Sequence, residues 1–445
     1  MTKMVNRRFL QIIVFCLLSL AIAGCVDKGP LNPGRPVTLT MWHNFGGEMQ
    51  KTMDALIDEF NATLGRERGI IINVSAITSS AELQSSLNMI LNGDPGAPEM
   101  PDITTAYPRT AIQFQSRGML VNFDEYFSAN ELSAYIPDFV KEGRFGDNGL
   151  YVFPFAKSTE ILFVNQTLFE VFSAATGVTW DCFGSFEGIA DAARKYYRWS
   201  GRQFYAADSW INLAQAGMLQ QGSDLFIGEK LNLDNEYFRH IWDVCFEPSV
   251  AGGFAIYDGY SSDLSKTGDI VCSTGSSAGI LFYGNTITYP DNTVLAVEYN
   301  ILPFPVFSEG KKIAIQRGNG LMVAKSDRAR EFAAAVFIKW FTNPSQNMRF
   351  VAETGYLPVT AEAFENYMPQ TIKNAENPHI RRMLEAVMNM YSGYGFFVAP
   401  AFESFDSLSR NYDRQYRAVM GAEHGKNYDR YAQYSALDRF AAALR

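Results

Sequence analysis

An α/β fold organised around a parallel sheet follows from three observations. Residues 37–106 read strand, helix, strand, helix, strand, an order that calls for parallel strands joined by crossover helices. The chain has 445 residues, room for two or three domains at ~150 residues each. Past residue 36 no linker, internal repeat or low-complexity tract divides it. The chain is therefore expected to pass between lobes more than once.

The elements follow in order. In "PVTLTMWHNF", Val37, Leu39 and Met41 alternate with Thr38, Thr40 and Trp42, the period of a strand. Gly46-Gly47 ends it. Met49, Met53, Leu56, Ile57 and Phe60 then recur at helical spacing. "GIIINVSAI" is a buried type of strand. "SSAELQSSLNMILNG" is a capped helix, with Leu83, Leu87, Ile90 and Leu91 on one face and Gly93 at its end. "PDITTAYP" is a short strand entering a loop. "GLYVFPFAKSTEILFVNQTLF" is a strand-rich crossing interrupted by Pro154, and "FEGIADAARKYYRW" is amphipathic. "GDIVCSTGSSAGILF" reads strand, Gly/Ser turn, helix. "VEYNILPFPVF" and "GLMVAKS" are strands, "REFAAAVFIKWFT" is a helix with a buried face, and the last ninety or so residues are mostly helical.

Composition removes several function classes. The chain is 47% apolar and 19% charged, with net charge −9. That supports a large core and excludes wholesale disorder. No Lys/Arg cluster stands out, so nucleic acid is not an expected partner. H-E-x-x-H and G-x-x-x-x-G-K-[ST] are both missing, and the four histidines are scattered, so metal and nucleotide chemistry have no support. No cofactor is expected.

The N-terminus reads as an export signal. Lys3, Arg7 and Arg8 precede an apolar run from Phe9 to Ala23. At ~15 residues the run is too short for a stable span, which needs about 20, and fits a signal-peptide core. Ile22-Ala23-Gly24-Cys25 resembles the bacterial lipobox. The resemblance implies cleavage before Cys25, acyl chains on that residue and attachment to a membrane, since two or three chains anchor where one does not. Residues 1–24 are then a lipoprotein signal peptide, and 25–36 a flexible tether. An uncleaved signal anchor is the alternative. Of the other cysteines, Cys16 leaves with the signal. Cys182, Cys245 and Cys272 are three buried thiols, or hold one disulfide, Cys182–Cys245 or Cys245–Cys272.

"EFAAAVFIKWFTNPSQNMRFVAETGYLPVTA" (331–361) resembles a segment of the sugar-type extracellular solute-binding proteins of ABC transporters: helix, short turn, helix, then T-G-Y-L-P-V. "LTMWHNFGGEMQKTMDALIDEFN", "PDI", "PFAKSTEILFVNQTLFE", "GDIVCSTGSSAGI" and "YNILPFPVF...GNGLMVAKS" resemble other parts of that family in the same order. The glycerol-3-phosphate-binding branch looks most similar, with sugar binders next. The resemblance implies a two-lobe periplasmic-binding fold of type II, a cleft between lobes joined by hinges, and no enzymatic activity. It puts crossings near Phe155–Ser158, Glu298–Leu302 and Thr342–Asn347. Residues 37–155 plus 300–342 would form the N-terminal lobe, and 156–299 plus 343–445 the C-terminal lobe. It further implies a small-molecule ligand, permease subunits with a separate ATPase, a monomer, and an extracytoplasmic, lipid-anchored location.

Ligands in open α/β sheets sit beyond the carboxyl ends of strands, near helix N-termini. Asn44 follows the first strand and Tyr107 the third. Ser158 and Thr159 match a loop that supplies a serine in the glycerol-phosphate branch, and Lys157 lies beside them. Trp210 matches a cleft aromatic, Gly318 and Asn319 a glycine pair that approaches the ligand, and Tyr356 a ligand tyrosine. Ser276 and Ser277 occupy a Gly/Ser turn suited to hydroxyls or phosphate. That branch clamps its phosphate with a C-terminal arginine. The corresponding "GYGFFVAPAF" has none, and Arg381, Arg382 and Arg410 are off register. Phe396 and Phe397 point to a ring-stacking surface instead. A carbohydrate is the expected ligand, with glycerol-3-phosphate or a glycerophosphodiester as the alternative. Gly275-Ser276-Ser277-Ala278-Gly279 also fits G-x-S-x-G between a strand and a helix, with His379 and His424 downstream. A serine hydrolase is thus a remote alternative. A surface adhesin would need repeats or long polar tracts, which the sequence lacks.

Overall fold

A computed structural model describes residues 29–77, 79–402 and 404–445. The expectations for the signal peptide and Cys25 lie outside these residues. Nine strands form one sheet. Strand β1 (Val37–His43) lies between β2 (Ile70–Ala76) and β3 (Ile103–Ala106), all parallel. Helices α1 (Glu48–Phe60) and α2 (Ser80–Asn92) are the expected crossovers. The α1 stripe Met49, Met53, Leu56, Ile57 and Phe60 is buried. Each large member contributes roughly 1.5–3 kcal/mol by leaving water. Helix α2 starts where Ser79 Oγ accepts the Glu82 N–H, and ends at Gly93 in the left-handed conformation, caps that satisfy otherwise orphaned backbone groups.

Two long strands carry the sheet onward: β4 (Phe153–Asn165) and, later in the chain, β8 (Ile313–Val323). The end of β8, Gly320–Val323, pairs with β3, and Gln316–Leu321 pair with β4. The far half of β4 pairs antiparallel with β6 (Cys272–Ser276) and β7 (Tyr299–Leu302). Strand β5 (Tyr205–Ala207) runs parallel to β6, and β9 (Gly395–Val398) parallel to Ile313–Gln316 of β8. All thirteen residues of β4 are buried, including Lys157, Ser158, Thr159 and Glu160. Pro154, the expected interruption, lies inside the strand. The register shifts between Asn319 and Gly320, opposite it, a bulge that accommodates a residue with no N–H to donate.

Helices cover both ends of this sheet. On the β1 side lie α3 (Pro108–Gln115), α7 (Arg328–Phe341) against β1, and α8 (Pro344–Thr354) against α1. On the β6 side α4 (Phe186–Ser200), α5 (Trp210–Gln220) and α6 (Glu236–Ala251) pack together. The C-terminal helices α10 (Phe405–Glu423) and α11 (Arg430–Ala443) pack on that group, α10 against both α5 and α6 and α11 against α6. Helix α9 (Pro378–Gly393) lies against β7. The chain thus returns along β8, farther on than Glu298–Leu302, because Tyr299–Leu302 pair with the far half of β4. Thr342–Asn347 join two helices that both pack on the β1 side. Cys182, Cys245 and Cys272 are free thiols, the last two buried. Burial pushes the Cys182 thiol up to about 12.

Candidate functional site

Strand ends from both sides of the sheet face the stretch where β4 and β8 run side by side. Beyond β1 come Asn44 and Phe45, and beyond β3 comes Tyr107 at the start of α3. Beyond β5 come Asp208 and Ser209 at the start of α5, and Ser276-Ser277 close β6. A cavity of about 200 Å³ has Tyr107, Asn212, Gln316, Arg317 and Gly318 in its polar wall. Val398–Ala401 and Phe405 form its apolar wall. A second cavity of about 420 Å³ is lined by Asn44, Gln84, Asn88, Thr105, Asn319 and Arg410. Both have Tyr107, Arg109 and Asp406 in their walls. Together they lie in the range of small-molecule sites, about 300–1,000 Å³.

Several expected residues meet here. Asn44 Oδ1 accepts from Thr105 Oγ1 at 3.1 Å and from Asn319 Nδ2 at 3.0 Å, tying β1, β3 and β8 at the cavity wall. Gly318 has φ +95°, and a Cβ there would strike the Ala156 carbonyl. Only glycine holds that backbone so close to β4. Tyr107 lies under the Arg109 guanidinium, 4.3 Å from its ring centre. Ser276 Oγ donates to Ser158 Oγ at 3.1 Å across β6 and β4.

Other expected residues are turned into the protein. Thr159 Oγ1 donates to the Ile315 carbonyl at 2.8 Å, and Ser277 is fully buried, its Oγ 3.5 Å from the Thr159 N–H. Tyr356 packs on Phe45 and Phe350, and burial raises its hydroxyl well above the usual range. Trp210 is 3% exposed and stacks on Tyr416 of α10 at 4.3 Å. It lies on the core side of α5, away from the cavity walls. Phe396 and Phe397 pack on the main core, and the apolar wall begins next to them, at Val398. Arg410 lines the outer cavity. Arg381 and Arg382 donate to the Ala375 and Tyr299 carbonyls.

Ion pairs also shape the site: Lys157, noted in the sequence, has a carboxylate partner, and Glu160, Arg317, Arg109 and Asp406 were not singled out there. Lys157 Nζ meets Glu142 at 2.6 Å with both side chains buried, and Gln316 Nε2 also donates to Glu142. Glu160 accepts from Arg317 Nη1 at 2.9 Å and from Asn212 Nδ2 at 2.7 Å. Burial raises the Glu160 pKa, while Arg317 pulls it down. Arg109 Nε and Asp406 form an ion pair at 2.6 Å, the N–H not aligned on the carboxylate. It joins α3 on one side of the cleft to α10 on the other. The signal was present in "AKSTEILF" and "IAIQRGNG". A charge inside an otherwise apolar strand must be paired, because burial alone is costly.

Among the described residues no hydrogen bond joins Ser277 to His379 or His424. His379 Nδ1 contacts the Tyr283 carbonyl at 3.0 Å, and His43 Nδ1 accepts the Phe45 N–H. Burial lowers the pKa of both rings. His424 follows the end of α10. Among the described residues no cluster of His, Cys, Asp and Glu could hold a metal, and no helix is long and apolar enough to cross a membrane.

This cleft between two α/β halves is the architecture of two-lobe solute-binding proteins. Residues 55–380 match the profile of the bacterial extracellular solute-binding proteins, and the chain belongs to that family. The cyclic α-maltosyl-1,6-maltose binding protein of Arthrobacter globiformis is similar in structure, with TM-score 0.71 and 17% identity over 92% of this chain and 99% of that one. The GacH receptor of Streptomyces glaucescens, solved unliganded and with acarbose, gives TM-score 0.68 and 17% identity over 91% and 97%. UgpB of Mycobacterium tuberculosis, solved with glycerophosphocholine, gives 0.69 and 18% over 92% and 98%. At these identities the likeness is one of fold. No curated protein matches in sequence.

Proposed function

We propose that this chain is the solute-binding component of an ABC importer, tethered by lipid at Cys25, that captures a carbohydrate in the cleft between its lobes. The carrying observation is the wall of the inner cavity: the polar side chains of Tyr107, Ser209, Asn212, Gln316 and Arg317 line it together with an apolar strip at Val398–Ala401. Hydroxyl edges and C–H faces of a sugar ring ask for that combination. Asn44, Tyr107, Asn319 and the backbone at Gly318 would contact the ligand first; Ser158 and Ser276, expected ligand contacts, are bonded to each other behind that wall. The chain would act by binding, not catalysis. Ligand shifts an open–closed equilibrium by no more than its preference for the closed form, and the closed form docks on permease subunits whose ATPase is a separate chain.

A thermal-shift panel of neutral oligosaccharides, glycerol-3-phosphate and glycerophosphocholine tests the reading. A ligand that binds only the folded state raises the melting temperature with concentration. A rise with a neutral oligosaccharide supports it. A rise with glycerophosphocholine alone would keep the transport role and replace the substrate.

A further inference from the structure

We infer that the cleft neutralises its own inner cations, so that it selects a neutral polyhydroxyl ligand over a phosphate ester, with Arg317 as the hydroxyl-recognising side chain. The inference rests on the carbohydrate reading and deepens it.

Arg317 stands on β8 in the wall of the inner cavity, its side chain 35% exposed within that narrow cleft. A guanidinium has five N–H donors. Among the described residues its hydrogen-bond partner is Glu160, which takes one of them. The other donors are left for a ligand. Glu160, on β4, is 2% exposed and is held from its other side by Asn212 of α5.

A second carboxylate stands nearby. Asp208 fits against Gly275, where any Cβ would collide with its Oδ2, and accepts from the backbone N–H and Oγ of Ser261. Its charge acts on Arg317 along with that of Glu160. Gly275 precedes Ser276, which pairs with Glu160 in the sheet, so the Asp208 and Glu160 carboxylates both lie on the β4–β6 side of Arg317. Arg109 is matched by Asp406 and Lys157 by Glu142. Arg410 is exposed on the outer wall, where water and salt screen it.

A phosphate monoester entering this cleft brings negative charge to cations that are already committed, and would have to compete with buried carboxylates. A sugar hydroxyl needs only a donor and an acceptor. A guanidinium pinned by a carboxylate offers its N–H groups in a fixed, planar array, as Lys cannot.

The test titrates the full chain with maltotriose, sn-glycerol-3-phosphate and inorganic phosphate. Wild type is expected to bind the oligosaccharide and not the phosphates. Arg317→Gln should weaken oligosaccharide binding about tenfold or more, with little rescue by Arg317→Lys. Glu160→Gln keeps an acceptor for Arg317 and Asn212 but deletes one negative charge. It should gain affinity for glycerol-3-phosphate, about tenfold or more. Asp208→Asn makes the same deletion if Glu160→Gln does not fold. Wild-type binding of glycerol-3-phosphate that disappears in Arg317→Gln would overturn the inference and make Arg317 an anion clamp. So would two folded charge-deletion variants that gain no phosphate affinity. If wild type binds no oligosaccharide while Glu160→Gln still gains phosphate affinity, the charge matching stands and the carbohydrate reading fails.

Discussion

Removing Lys157 should cost more stability than removing any surface cation of this protein. Its ammonium and the Glu142 carboxylate are 2.6 Å apart, with side chains 3% and 8% exposed. The pair sits where β4 runs beside β8, and Gln316 of β8 also donates to Glu142. Lys157→Met leaves a buried carboxylate with only that amide. Breaking such a pair from one side costs about 3–5 kcal/mol. A second route to the magnitude gives the same range. A stranded carboxylate can take up a proton instead, and neutralising an ordinary carboxylate at pH 7 costs about 4 kcal/mol. For a lobe of about 200 residues this is roughly a 10 °C fall in Tm. The assay is denaturant unfolding of wild type, Lys157→Met and Lys157→Met/Glu142→Gln at pH 7. The double variant should recover most of the loss. A single-variant loss under about 1 kcal/mol, or a double variant no better than the single, would refute the reasoning.

Asp413 of α10 accepts the Ile211 N–H at 2.9 Å, and burial pushes its pKa from 3.8 up to about 6. A carboxyl that holds its proton more tightly when folded makes stability fall as pH rises between those values, by roughly 3 kcal/mol; Asp413→Asn should remove that slope in chemical unfolding at pH 4 to 7. Gly318→Ala meets both a φ of +95° and the Ala156 carbonyl, and should lose about 1–3 kcal/mol together with ligand affinity, read by melting and titration. Trp210→Ala deletes a core ring stacked on Tyr416 and should lose about 3–5 kcal/mol, while the molecules that remain folded keep ligand affinity within about threefold. An affinity loss without a stability loss would return Trp210 to the cleft.

The alternating start of the chain was legible because each element carries its own period. Strand β1 alternates, α1 and α2 show stripes, and Ser79 and Gly93 mark the ends of α2. Asn44 and Tyr107 stood out because they follow strand ends, and Gly318 and Asn319 through resemblance to a glycine pair of the family; all four lie in the cavity walls. Ser158 and Thr159 were assigned to a loop through the family resemblance, although the segment around them reads as strand-rich. In the structure residues 157–160 lie in a fully buried strand, satisfied by partners far off in the chain: Glu142, Ser276, Ile315 and Arg317. The charges inside apolar strands signal that partners exist, but the sequence does not say which distant residues they are. The aromatics misled for the opposite reason. With 14% Phe, Trp and Tyr, ring identity alone could not separate Trp210, packed in the core, from rings in a cleft. Phe396 and Phe397 pack, partly buried, on the main core, and the apolar wall lies at the residues that follow, Val398–Ala401.

The most direct test of solute capture at the meeting of β4 and β8 is hydrogen–deuterium exchange with and without the panel compound that gives the largest thermal shift. The account predicts new protection in 105–110, 315–319 and 398–406, from both sides of the cleft. Protection confined to the groove between α1 and residues 366–380, or to the pocket between residues 229–239 and α11, would contradict it.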